Sequence, residues 1–142
     1  MRKLLGVAVI IIIAVLPALS QSRWVQFSQT KDEIYYYDKE TIRKRRDGTI
    51  SAWGKTAPRN EEIRQRLIRE KNAKGREDYS KYSHTVVLWY LSCNDRKYKL
   101  VTFTDYDDEG GVILSDSSND NRWDDAPPGT IIERLFKEIC GD

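Results

Sequence analysis

Histidine and cysteine are scarce in this 142-residue sequence, which contains one histidine, His84, and two cysteines, Cys93 and Cys140. Two cysteines and one distant histidine do not make a metal-ligand set, so no transition-metal site is predicted. A lone histidine is more often a packing or surface residue than a general base. The composition therefore predicts a protein that is not an enzyme and holds no cofactor.

Motifs for hydrolysis and phosphate binding are also missing. There is no Gly-x-Ser-x-Gly, and residues 28–31 spell Ser-x-x-Lys without the partner motifs of that chemistry. Gly54-Lys55-Thr56 resembles the end of a phosphate-binding loop, but position 49 is threonine where such a loop needs glycine. We therefore predict a binding protein rather than a catalyst.

Long apolar runs are absent except at the N-terminus, where Leu4–Leu16 follows Arg2 and Lys3. Thirteen residues at about 1.5 Å each cover roughly 20 Å, less than the ~30 Å of a bilayer core. Pro17 and the small residues after it are typical of a secretory signal. We expect a signal peptide over residues 1–22, a mature domain over 23–142 and no membrane anchor after cleavage, with a permanent N-terminal anchor as the alternative.

Net charge is nearly absent, because without Arg2 and Lys3 the basic and acidic residues are equal in number. Their distribution is uneven. Residues 43–76 hold twelve basic and four acidic residues, whereas residues 77–142 hold seven basic and fourteen acidic ones. A neutral domain with this distribution can still present a basic face.

The two cysteines lie 47 residues apart in the predicted mature domain. In an exported domain of this size, two cysteines most simply form one disulfide bond. Two buried free thiols are the alternative.

The hydrophobic pattern predicts an α+β fold with an antiparallel sheet of about six strands. Asp47-Gly48 marks a hairpin, and residues 85–93 alternate so that both faces are apolar, which predicts a central strand covered on part of each side. A mobile loop is expected over residues 115–125. The predicted strands are 24–27, 34–37, 42–46, 49–55, 85–93, 98–104 and 112–114.

Two helices are predicted. Residues 59–74 have a thin apolar stripe, which indicates a charged helix on the surface. Residues 130–140 begin at a Thr130–Glu133 capping box and carry a wide apolar stripe. We expect this second helix to pack on the strand that contains Cys93, tethered there by the disulfide.

Several segments together resemble the surface-adhesin protein E-like domain of exported bacterial proteins. They are Trp24-Val25, Tyr36-Tyr37-Asp38, Arg46-Asp47-Gly48, Trp53-Gly54-Lys55-Thr56, Tyr90-Leu91-Ser92-Cys93, Tyr106-Asp107 and Pro127-Pro128-Gly129-Thr130. The resemblance implies an antiparallel sheet backed by a disulfide-tethered C-terminal helix. It also implies adhesion to host matrix and plasma proteins, and pairing of the protein with itself.

An acidic turn has the spacing of a calcium loop. Asp105, Asp107, Glu109 and Asp116 fall at positions 1, 3, 5 and 12 of such a loop. The flanks are predicted strands, whereas an EF-hand requires helices. A hairpin turn with solvated carboxylates explains the same residues, and calcium binding is kept as an alternative.

Basic residues are the leading candidates for ligand binding. If they share one face, they would bind sulfated glycans, acidic surface polymers or the acidic face of a protein partner, and the exported compartment argues against nucleic acid. The alternative is a solvated surface without a ligand. The candidates are Arg43, Lys44, Arg45, Arg46, Arg64, Arg66 and Arg69.

Aromatic residues are expected mainly in the core and on the sheet, with an exposed aromatic row for carbohydrate as a further alternative. They include Trp24, Tyr35, Tyr37, Trp53, Trp89 and Trp123. Two functional classes follow from the sequence. One is an adhesin-like module at the cell surface, and the other is a periplasmic inhibitor or assembly factor acting on an envelope partner.

Overall fold

The structure is a computed structural model that describes residues 22–75 and 77–141. The signal peptide predicted over residues 1–22 lies, apart from Ser22, outside the described residues. The described chain forms one antiparallel sheet with two helices. Its elements are β1 (Trp24–Gln29), β2 (Glu33–Asp38), β3 (Arg43–Lys44), β4 (Ile50–Pro58), α1 (Glu61–Lys74), β5 (Tyr82–Ser92), β6 (Lys97–Asp107), β7 (Val112–Ser117), β8 (Asp124–Asp125) and α2 (Ile131–Cys140).

The main path of the sheet runs β1-β2-β4-β5-β6-β7, with β3 paired to β4 and β8 paired to β6. The predicted α+β class, the antiparallel sheet and the central position of β5 are confirmed. The short strands β3 and β8 bring the total to eight. The predicted loop over residues 115–125 is partly wrong, because Ser117 pairs with Thr102 and Asp125 pairs with Lys97.

The Asp47-Gly48 hairpin forms as predicted. Gly48 has a φ of 84°, a conformation that residues with a Cβ rarely adopt. The Asp47 carboxylate accepts hydrogen bonds from the backbone N–H and the hydroxyl of Thr49. Strand β3 is nevertheless only two residues long, shorter than the predicted 42–46.

Helix α1 begins after Asn60, whose side chain accepts a hydrogen bond of 2.9 Å from the Ile63 backbone N–H. The helix lies on the surface as predicted, with most of its residues exposed or half-buried. Ile68 alone is buried, and it packs against Tyr79 and Tyr82. This contact joins the helix to β5 through Tyr82.

Helix α2 is held by its cap, its apolar stripe and its last residue. Thr130 accepts a hydrogen bond from the Glu133 N–H, and the Glu133 carboxylate accepts one from Gly129. Leu135 and Phe136 are almost completely buried against Leu91 of β5. The predicted Cys93–Cys140 disulfide is present. Neither helix of the described chain is long and apolar enough to span a membrane.

Both helices cover the same face of the sheet. Helix α2 packs on Trp89 and Leu91, and Lys71 of α1 reaches Asp105, which also bonds Thr85. Thr85, Trp89 and Leu91 share one face because side chains alternate along a strand. The sequence predicts that β5 is covered on part of each side, and the two helices cover one of these sides. No described helix packs on the opposite face, which we call the open face.

Candidate ligand-binding surface

The open face carries a connected group of half-buried aromatic and aliphatic side chains. Cross-strand partners share a face, and Trp53 pairs with Leu88, Lys55 with Val86, and His84 with Tyr106. Because these side chains pack against each other, each is only partly exposed. The face comprises Trp24, Tyr36, Trp53, Lys55, His84, Val86, Leu88, Tyr90 and Tyr106.

Lys55 lies near the middle of this face, between two aromatic rings. Its ammonium nitrogen is 4.8 Å from the centroid of the Trp24 ring and 4.7 Å from that of Tyr36. Burial lowers the pKa of this ammonium, and no described carboxylate forms an ion pair with it. Cation–π contacts stabilise the charge in part. Lys55 is thus a cation that lacks a counter-charge among the described residues.

His84 extends the face toward β6. Its ring stacks on Tyr106, with the centroids 5.2 Å apart, and a ring nitrogen lies 3.0 Å from the Ser83 hydroxyl. Burial, followed by the positive charge of Lys55, lowers the pKa of the imidazole. The charged form of His84 is therefore disfavoured, and the residue contributes a flat ring to the face.

At the other end of the face lies the β3–β4 hairpin with four of the predicted basic residues. Arg45 stacks on Tyr90, its guanidinium carbon 3.8 Å from the ring centroid, and bonds Asp47 and Thr49. Arg43 donates to the backbone carbonyls of Glu40 and Ile42. Lys44 and Arg46 are exposed. Among the described residues, only Arg45 of these four pairs with a carboxylate.

The three basic residues of α1 are placed elsewhere. Arg64 forms two 2.7 Å hydrogen bonds with Glu61 and donates to the Tyr82 carbonyl, and Arg66 lies 2.7 Å from Asp32. These partners differ from the Glu62–Arg66 pair that helical spacing favours. Arg69 is exposed.

The structure does not bring the two basic groups together. Strand β3 pairs with Ser51 at one end of β4, whereas α1 follows Pro58 at its other end. Positions 51 and 57 are six residue steps apart along the strand, a span of about 20 Å at ~3.3 Å per residue. One continuous basic face, the condition of the sequence-based hypothesis, does not form.

The acidic residues of the calcium hypothesis also diverge. Asp105 is 2% exposed and bonds Lys71, Tyr79 and Thr85, all on the helix-covered side. Asp107 accepts from backbone N–H groups of its own turn. Among residues 22–75 and 77–141, no three acidic, histidine or cysteine side chains come close enough to hold a metal ion.

The aromatic residues divide between the two faces. Tyr37 and Trp89 pack against the α2 cluster, and Tyr35 contacts Phe27, so these rings belong to the covered side. Trp24 and Trp53 belong to the open face. Tyr36, Tyr90, Tyr106 and Lys55 were not predicted as site residues. Alternation along each strand predicts which side chains of that strand share a face. It does not predict which face of the sheet the helices leave uncovered.

Asp38 borders the open face and fixes the start of β1. It is 1% exposed, and its carboxylate accepts hydrogen bonds from Arg23 and from the Glu40 backbone N–H. Burial acts to raise its pKa, but the bonds from Arg23 and Glu40 outweigh it and leave the pKa below the ordinary value. The charged form is therefore favoured by folding.

Asp38→Asn is expected to lower the free energy of unfolding at pH 7 by about 1–3 kcal/mol, because Arg23 loses its charged acceptor. A depressed folded-state pKa stabilises the protein above the unfolded pKa of about 3.9, and this stabilisation is lost as pH falls through the folded-state value. The difference between wild type and variant should therefore shrink below pH 4. Denaturant unfolding at pH 7 and pH 3 measures it, and a constant difference would contradict the assignment.

Comparison with known proteins identifies a family. No curated protein and no solved structure matches the chain. The sequence profile described as surface-adhesin protein E matches residues 24–141. This range runs from the first residue of β1 to the residue after α2, and so includes the sheet, both helices and the disulfide. The chain belongs to the surface-adhesin protein E family.

Proposed function

We propose that this protein is an exported, non-catalytic, adhesin-like module that binds an acidic glycan across the open face. Its family supports an adhesin-like surface protein. The nature of the ligand is argued from the side chains of the open face.

Lys55 is the observation that carries the proposal. A partly buried cation without a carboxylate partner costs free energy, because two ring faces replace only part of its lost hydration. A carboxylate or sulfate on a bound polymer supplies the missing counter-charge. The pair forms in a partly desolvated position, where charges attract more strongly than in bulk water.

The aromatic rings around Lys55 favour a sugar polymer over a protein side chain. Trp24, Trp53 and Val86 line an open depression of about 330 Å³ on this face. Half-buried tryptophan and tyrosine rings offer flat apolar surface with a polar edge. Sugar rings have apolar C–H faces and polar hydroxyls, which match such a surface. The Arg43–Arg46 hairpin gives a longer acidic polymer further cations at one end.

Lys55→Gln is expected to weaken binding of heparin, used as the probe polymer, by about tenfold or more, because loss of the ion pair corresponds to at least ~1.4 kcal/mol. Lys55→Arg should retain most of the affinity. The exposed Lys137 of α2 provides the matched control, and Lys137→Gln should change affinity less than about twofold. Calorimetry at two salt concentrations measures these values, and equal affinities for both glutamine variants would refute the proposal.

The two basic groups should differ in their effect on heparin retention. The hairpin variant carries three substitutions, Arg43→Glu/Lys44→Glu/Arg46→Glu, and should elute earlier than wild type. Its free energy of unfolding should change by less than about 0.5 kcal/mol, since these side chains lack ion pairs with described residues. The helix variant carries Arg64→Glu/Arg66→Glu/Arg69→Glu. It should retain more heparin affinity than the hairpin variant but should be less stable than wild type. Its new carboxylates would face Glu61 and Asp32.

Heparin chromatography with thermal unfolding tests this difference. A helix variant that loses as much retention as the hairpin variant would contradict the placement of the site. Labelling of intact cells with a membrane-impermeant reagent separates a surface module from a periplasmic accessory protein.

A further inference from the structure

A second site lies on the other side of the sheet, under the first turn of α2. There the helix and the strands form a half-open apolar cavity of about 210 Å³. Its walls include Phe27, Tyr35, Trp89, Tyr98, Ile131 and Leu135. Lys55 and Tyr36 border the cavity from the strands, although their side chains interact on the open face. The cavity and the proposed glycan surface therefore lie on opposite faces of the sheet.

Gly54 allows two wall side chains to pack closely against strand β4. A Cβ atom at this position would lie 3.2 Å from both the Trp89 Nε1 and the Val87 Cγ2 atoms. The glycine lets the indole of Trp89 lie close to the backbone of β4.

The wall also contains an unsatisfied donor. No described residue accepts a hydrogen bond from Trp89 Nε1. Arg66 Nε is the one fully buried side-chain polar atom without a partner among the described residues, so Trp89 Nε1 is partly accessible. Trp89 Nε1 lies beside Gly54, and both residues line the cavity. The Tyr35 hydroxyl, in contrast, is already bonded to Glu33 at 3.1 Å.

We propose that this cavity binds a single aromatic ring that carries a hydrogen-bond acceptor, such as a phenol. An apolar cavity of about 150 Å³ is large enough to bind benzene, so 210 Å³ accommodates a substituted ring. Aromatic walls favour ring stacking or edge contacts. The Trp89 N–H orients the acceptor, because leaving a polar group unpaired in such a site costs free energy.

The source of the ring is either a free phenolic compound or a tyrosine side chain of a partner. Both have the same chemistry at the cavity. N-acetyl-tyrosinamide has blocked ends and serves as the probe for the side chain, and p-cresol serves as the probe for the free compound. Toluene has a similar shape to p-cresol but lacks the acceptor, and so isolates the contribution of the Trp89 N–H.

Titration monitored by the ¹H–¹⁵N signals of the four tryptophan indoles tests the site. Trp89→Phe identifies the Trp89 signal. p-Cresol is expected to shift that signal saturably with a Kd near 1 mM, a range typical of a fragment-sized ligand. Toluene should bind more weakly, and the Trp24 and Trp53 signals of the open face should not move. Tighter binding of N-acetyl-tyrosinamide than of p-cresol assigns the site to a side chain, and the reverse assigns it to a free compound.

Two variants block the cavity from different sides. Ile131→Phe places a ring at the rim and should weaken p-cresol binding about tenfold or more, because the added atoms occupy the ligand volume. Gly54→Ala should also weaken binding, because its Cβ would lie 3.2 Å from both Trp89 Nε1 and Val87 Cγ2 and would displace these wall side chains. Unchanged Trp24 and Trp53 signals show that either variant is folded. The proposal is overturned by the lack of a saturable Trp89 shift with both phenolic probes, or by unchanged affinity in folded Ile131→Phe.

Discussion

Cys93→Ser should lower the free energy of unfolding by about 2–4 kcal/mol and the melting temperature by about 10 °C or more. The disulfide joins two residues that are 47 positions apart in the sequence. It thereby reduces the conformational entropy of the unfolded chain. Its position increases the effect. It joins the residue after the central strand β5 to the last residue of α2, a helix of only ten residues near the end of the chain.

The double variant Cys93→Ser/Cys140→Ser separates loss of the bridge from the effect of a free thiol. Both variants should unfold at nearly the same temperature, and reduced wild type should match them. Intact mass should show the oxidised wild type two hydrogens lighter than the reduced form. Alkylation of folded wild type, or equal melting of oxidised and reduced protein, would contradict this prediction.

The sequence predicts the covered side of this fold well because its signals there are strong and local. The wide stripe of α2, its capping box and the position of Cys140 indicate which residues face the sheet. The alternation from residue 85 to residue 93 then identifies β5 as the strand beneath. These signals rest on spacing along one element, and the structure confirms them.

The uncovered side could not be predicted, because coverage depends on where α1 lies. The apolar residues of α1 are few, and its contact with the sheet is made by Ile68 against Tyr79 and Tyr82. Tyr79 lies in the connection between α1 and β5, where no periodic pattern marks it as buried. As a result α1 shares a face with α2, and Lys55 is left with aromatic neighbours on the other face.

Charge counts identified basic segments but not ion pairs. The sequence shows that residues 43–76 are basic. In the structure, however, Arg64 pairs with Glu61 within α1, and Arg66 pairs with Asp32 in the β1–β2 turn. Asp32 is distant in sequence from Arg66, so the pair depends on tertiary structure. The hairpin residues Lys44 and Arg46 have equal formal charge and remain exposed. The ion pairs that the basic residues form, and not the number of basic residues, distinguish the solvated helix α1 from the candidate binding surface.

Asp105→Ala should be among the most destabilising single substitutions in the protein, at about 3–5 kcal/mol. Asp105 is 2% exposed and accepts from the Lys71 ammonium at 3.1 Å and the Tyr79 hydroxyl at 2.9 Å. Removing the carboxylate leaves the Lys71 ammonium without its counter-charge, and it leaves the hydroxyls of Tyr79 and Thr85 without their acceptor. The network also ties α1 to β5 and β6, so its loss should loosen the helix.

Two further measurements distinguish this structural role from calcium binding. Burial, and then the hydrogen bond to Asp105, raise the pKa of Tyr79 to about 12. Asp105→Asn should therefore lower that pKa, as followed by ultraviolet absorbance. Asp116→Ala, at an exposed position in β7, should change stability by less than about 0.5 kcal/mol. Calcium should not raise the melting temperature of wild type. A calcium-dependent rise that Asp116→Ala abolishes would instead require Asp105 to leave Lys71 and turn toward the β6–β7 hairpin.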